Sequence, residues 1–136
     1  MTGGTVGRDG GRRHTVLVVR RRASGVTLDL LSDALAELDP GEGDVETTEL
    51  VVSDDVLVKL FALGPDAELD PHEHADSTNV FHVVDGTVTV ARDEEEGAVA
   101  APGVVLNERG DVHGARNETD RVVAFTASLC PLPGSG

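Results

Sequence analysis

Apolar residues recur along this chain at two different periods, and the change between them falls near residue 45. Upstream, Leu28, Leu31, Leu35 and Leu38 repeat every three or four positions, the spacing of one helix face. Ser32 and neighbouring Asp residues suit the start of a short helix, and Asp39-Pro40-Gly41 ends it. Downstream, short Val-rich runs bounded by turn residues predict strands over 47–52, 56–63, 80–84, 87–92, 98–106 and 121–129. A further short strand is expected within 67–74, interrupted at Pro71. Gly64-Pro65 stops the second strand, and Asp85-Gly86 reads as the tight turn of a hairpin. The acidic run 93–96 followed by Gly97 reads as a solvated loop. Many short strands without alternating helices predict one antiparallel sandwich or barrel and exclude a parallel α/β sheet.

At 136 residues the chain is expected to form one domain, over 26–130, between a disordered Arg- and Gly-rich tail (1–25) and a short tail (131–136). Composition alters this picture in three ways. Phe61, Phe81 and Phe125 are the only aromatic core candidates, so Val, Leu and Ala must fill most of the interior. The formal charge of −14 sets 25 acidic residues against ten Arg and one lysine, Lys59. Such acidity disfavours nucleic acid and anionic membrane surfaces as partners. Scattered carboxylates with almost no Lys also fit a protein from a salt-loving microbe, and on that expectation the acidity is a solvated surface adaptation. The lone Cys130 forms no intramolecular disulfide and reads as a small core residue. The apolar run 16–19 among the N-terminal arginines is too short for an export signal, so a cytoplasmic location is expected.

The chemistry-bearing residues are three histidines. His72 and His74 stand as Pro-His-Glu-His, and two residues at i and i+2 on a strand share a face. His113 lies 39 positions after His74, in Gly110-Asp111-Val112-His113. An antiparallel sheet can bring it beside the other two, and three imidazoles on one wall suit a divalent transition metal. Glu73 and His82 are expected to point away from such a wall, with His82 a packing residue; Asp76 reads as loop charge, Arg109 and Arg116 as surface ion-pairing residues, and Asn117 as a turn residue.

The stretch from Gly64 through His72-Glu-His74 and Asn79 to Gly86 resembles the first motif of the cupins, and Pro102-Gly103 through Gly110, His113 and Asn117 resembles the second. The resemblance implies a small antiparallel jelly-roll barrel, with His72, His74 and His113 holding iron, manganese, zinc, nickel or copper. It also implies a homodimer paired through edge strands. Where the motif has a glutamate ligand this sequence has Asn79, and Glu108 stands where proline is usual. A neutral amide is a weak ligand, so Asn79 is expected to bind through its oxygen, to orient a water, or to leave the metal to three histidines. Cupin oxygenases with three histidines act on thiols and diketones. The resemblance therefore implies a metal-dependent dioxygenase for a small anionic organic substrate. A non-catalytic small-molecule-binding or sensing protein and a sugar isomerase or epimerase are the alternatives.

Overall fold

The computed structural model describes residues 28–132, together with the backbone of three N-terminal strands, β1 (Arg8–Asp9), β2 (Arg12–Arg13) and β3 (Thr15–Arg20). The rest of the expected tails lies outside the described residues. Next come helix α1 (Ser32–Glu37) and the strands β4 (Asp44–Val52), β5 (Leu57–Leu63), β6 (Glu68–His72) and β7 (Thr78–Asp85). They are followed by β8 (Thr87–Arg92), β9 (Glu95–Ala100), β10 (Gly103–Asn107), β11 (His113–Arg116) and β12 (Val123–Cys130). Two sheets carry the body, one ordered β10-β7-β12-β5-β4-β3 and the other β6-β11-β8-β9. Pairing is antiparallel except at β3, which runs parallel to β4 within the segment expected as a tail. Its Val-Leu-Val-Val run has high strand propensity.

The expected helix is present but short. Asp29 accepts hydrogen bonds from the backbone N–H groups of Leu31 and Ser32 at 3.0 Å, satisfying donors that a helix start leaves open. Ala34 and Leu38 turn inward against Leu60, Ala62 and Ala124, whereas Leu28 is exposed. The main core lies between the sheets, from Val45, Leu63, Phe81, Val83, Val88, Val123 and Phe125 among others. Phe125 sits at its centre, stacked on Phe61 at 5.3 Å and tilted against Phe81 at 4.8 Å between centroids. Strand alternation explains this layering: on β5, Leu60 and Ala62 face the helix while Leu57, Lys59 and Phe61 face the opposite way.

Several expected turns, strands and placements differ in the structure. Asp85-Gly86 does not close a hairpin, because β7 and β8 belong to different sheets. It is a corner, where the chain leaves one sheet for the other. Gly86 has φ +79°, and a Cβ there would lie 2.7 Å from Val123 Cγ1, so the corner requires glycine. The true hairpin is β8–β9, joined by Asp93-Glu94 with Asp93 at φ +53°. The acidic run is thus half turn and half strand: Glu95 and Glu96 belong to β9 and pair with Arg92 and Ala91. The single strand expected over 98–106 is two, β9 and β10, placed in opposite sheets. β11, which carries His113, was not expected as a strand; Cys130 is exposed at the end of β12, not in the core.

Asn117 makes far more than a turn. It donates to the carbonyls of Leu63, Gly64 and Arg121, and its oxygen accepts from Thr119 N at 2.8 Å and Thr119 Oγ1 at 2.7 Å. Buried at the exit of β11, it ties together three chain segments.

Candidate metal centre

The two sheets meet at the three histidines. His72 ends β6 and His113 begins β11, and the two are register partners in the smaller sheet. His74 lies two residues past β6, and Gly110 N–H donates to its carbonyl at 3.1 Å, binding the β10–β11 loop to the first motif. That loop is a turn closed by Asp111 N–H to Glu108 O at 3.0 Å, with Gly110 at φ +84° in the position that favours glycine. The Asp111 carboxylate returns to accept from Glu108 N–H at 2.9 Å. The loop closes without the usual proline, and His113 follows directly.

One nitrogen from each of His72, His74 and His113 falls in a cluster spanning no more than 4.8 Å. Backbone carbonyls orient two of the rings. His72 Nδ1 lies 3.0 Å from Asp70 O, and His113 Nδ1 lies 3.1 Å from Asp111 O. A carbonyl only accepts, so Nδ1 carries the hydrogen in both neutral rings and Nε2 keeps its lone pair. This is the outer hydrogen bond that metal-ligating histidines use to fix tautomer and orientation. His74 makes no side-chain hydrogen bond to a described residue, which leaves it free to adjust. His74 and His113 both have their pKa values lowered, first by burial and then by the charge of His72. Lys59 adds to the effect at His74, while the Asp111 carbonyl opposes it at His113. Both rings are therefore held in the neutral form that binds metal.

Asn79 comes from β7 in the larger sheet and reaches the cluster from the other side. Its Nδ2 donates to His113 Nε2 at 2.9 Å, and its Oδ1 is buried with no hydrogen-bond partner among the described residues. So oriented, the amide occupies the lone pair that a metal would take. A half-turn of the amide exchanges the two atoms and presents an oxygen to the cluster. With the amide so turned, the donor set fits a late first-row metal: three neutral imidazoles and one amide oxygen in need of a partner.

The other residues singled out from the sequence stand apart from the cluster. Glu73, Asp76 and Arg109 lie outside it, and His82 faces away as expected but is exposed and not packed. Arg116 forms ion pairs with Glu96 at 2.6 Å and Glu118 at 2.8 Å on the surface. Beside the histidines lies a cavity of about 360 Å³, lined by Thr47, Leu57, Lys59, Phe61, Leu69, His72, His74, Asn79, Phe81, Ala127 and Leu129; the sequence reading had placed neither Thr47 nor Lys59 at the site. Phe61 and Phe81, two of the aromatic core candidates, both line it. Lys59 was legible as well, since it alternates with Leu57 and Phe61 on one strand.

Fold and site together define a small two-sheet β-barrel protein with a histidine cluster between its sheets. The family profile described as Cupin domain matches residues 59–129, and the chain belongs to the cupins. No curated protein matches the chain. Among solved structures, a Thermus thermophilus protein is 25% identical with TM-score 0.70, covering 77% of this chain and 100% of its own. An uncharacterized conserved protein with a double-stranded β-helix domain from Klebsiella pneumoniae is 18% identical with TM-score 0.69, covering 83% of this chain and 95% of its own. A predicted oxalate decarboxylase from Thermotoga maritima is 18% identical with TM-score 0.61, covering 65% of this chain and 81% of its own. Among the described residues, no helix is long and apolar enough to cross a membrane.

Proposed function

We propose that this cupin holds a divalent transition metal on His72, His74 and His113, with Asn79 as a weak fourth ligand, and acts as a metal-dependent dioxygenase on a small anionic organic substrate. The observation that carries this reading is the three-nitrogen cluster, with His72 and His113 already turned by main-chain carbonyls so that the lone pair falls on Nε2, which at His113 accepts from the Asn79 amide until that amide turns. The cluster contains no carboxylate, so a bound metal keeps its full positive charge and supplies open positions that favour an anionic, chelating substrate. The chain contributes orientation and exclusion of water. Phe81 packs edge-on to His113 at 5.6 Å, and the aliphatic and aromatic lining shields the substrate from solvent. The likeness to a predicted oxalate decarboxylase, itself named for a small organic acid, is compatible with an acidic substrate.

Elemental analysis of purified protein, followed by oxygen uptake with diketones, thiols and flavonols, tests the reading. The expected result is near-stoichiometric metal and oxygen consumption with one substrate class. Protein that retains no iron, copper, nickel, manganese or zinc overturns it. A second reading, a binding or sensing protein without turnover, draws support from the cavity lining, which offers no carboxylate as general base. Metal uptake with ligand-induced thermal stabilisation but no substrate consumption selects that reading.

A further inference from the structure

The larger sheet brings to the same cavity a group that metal binding does not use. Lys59 is the chain's one lysine, and strand alternation on β5 turns it to the cavity side with Leu57 and Phe61. Its Nζ lies 5.8 Å from the Phe61 ring centroid, so the ammonium rests near an aromatic face. Glu49 is its register partner on β4, yet no ion pair within 4.0 Å joins Lys59 to any described carboxylate. Lys59 is half-buried, so its stem lies on the cavity wall while its ammonium stays available to a ligand. Beside it on β4 stands Thr47, a residue of the cavity lining that is 2% exposed, whose hydroxyl is buried and has no hydrogen-bond partner among the described residues. Thr47 pairs across the ladder with Phe61, which makes it the diagonal neighbour of Lys59.

We propose that Lys59 and Thr47 form an anion subsite that takes the carboxylate of a small organic acid. The Lys59 ammonium and the Thr47 hydroxyl belong to diagonal neighbours on one sheet face, neither meets a described acceptor, and a carboxylate supplies the missing acceptors. The rest of the ligand lies on Leu57, Phe61, Leu69, Ala127 and Leu129, an apolar lining that selects a hydrocarbon body. A cavity near 360 Å³ equals about twelve waters at ~30 Å³ each, which sets the scale of the acid at a few carbons to one ring. This inference deepens the proposed function by naming the anionic end of its substrate. The subsite itself needs no metal.

Isothermal titration calorimetry on the full chain, metal-free and zinc-loaded, at pH 7.5 and fixed ionic strength, tests the proposal with butanoate, hexanoate and benzoate, each against its carboxamide. The metal-free wild type is expected to prefer the acids about ten-fold, the scale of a charge-assisted pair in a partly closed site. Lys59→Met should remove the preference, Lys59→Arg should retain it, and Thr47→Val should reduce it. Thermal melts confirm that each variant is folded. Equal binding of acid and amide to wild type, or a preference that survives Lys59→Met, overturns the proposal. A protein that prefers the acids but takes up no zinc leaves the subsite standing and removes the metal reading. One that loads zinc with no acid preference does the reverse.

Discussion

The two walls of the cavity are built on opposite plans. On the smaller sheet, His72 and His113 have their outer nitrogens committed to main-chain carbonyls, and their inner nitrogens converge. On the larger sheet, the buried Thr47 hydroxyl and the Asn79 oxygen have no partners among the described residues, and no described carboxylate pairs with Lys59. Buried polar atoms without partners are costly, typically about 1–3 kcal/mol each. The contrast separates a wall fixed in advance for one occupant from a wall left open for an occupant that exchanges. In the first, rigidity comes from backbone geometry; in the second, selectivity comes from unmet hydrogen bonds.

The most disruptive way to break this contrast is to remove the support common to both walls. Phe125, fully buried, holds the rings of Phe61 and Phe81. Phe125→Ala is expected to cost about 3–5 kcal/mol of unfolding free energy in urea melts. Next comes the fixed wall alone. His113→Ala should weaken zinc binding more than ~100-fold by competition titration, above the range for outer partners, while His82→Ala should leave it unchanged. The open wall can be converted to the fixed kind: Asn79→Asp adds the missing carboxylate and should tighten zinc by about ten-fold. The same change should destabilise the metal-free protein, because it buries a charge without its counter-ion.

Acid sharpens the comparison most gently. His74 and His113 have pKa values below that of a free imidazole, so the unfolded chain binds more protons than the folded one as pH falls through about 6.5. Their contribution to stability is present above that pH and is lost as pH drops toward the folded values. Denaturant midpoints of the metal-free protein should therefore fall between pH 7.5 and 5.5, and this part of the loss should vanish in His74→Gln/His113→Gln. A pH-independent midpoint would contradict the neutral, buried state assigned to these rings.

Much of this was readable from the residues alone. The strand 87–92 matches β8 at both ends, and 56–63 misses β5 by one residue, because Gly86 precedes the alternating Thr and Val of β8 and Gly64-Pro65 stops β5. The histidines were legible through strand parity and the two motifs. The elements that escaped share a physical cause. β9 is exposed on both faces over most of its length, so no alternation marks it, and its glutamates read as loop. β11 has only four residues, His-Gly-Ala-Arg, too few and too small to show a period. Asp85-Gly86 carries the dipeptide of a hairpin turn, but its partner choice is decided by packing against Val123, a contact 37 positions away in sequence. The open wall was hidden for another reason: an unpartnered hydroxyl leaves no trace in a sequence.

That Lys59 is the chain's single lysine also makes it a reporter. An amine-directed reagent meets one side-chain target in the whole protein, and that target borders the cavity. The rate at which it is labelled becomes a direct reading of whether the cavity is filled, without a substrate in hand and without a spectroscopic metal.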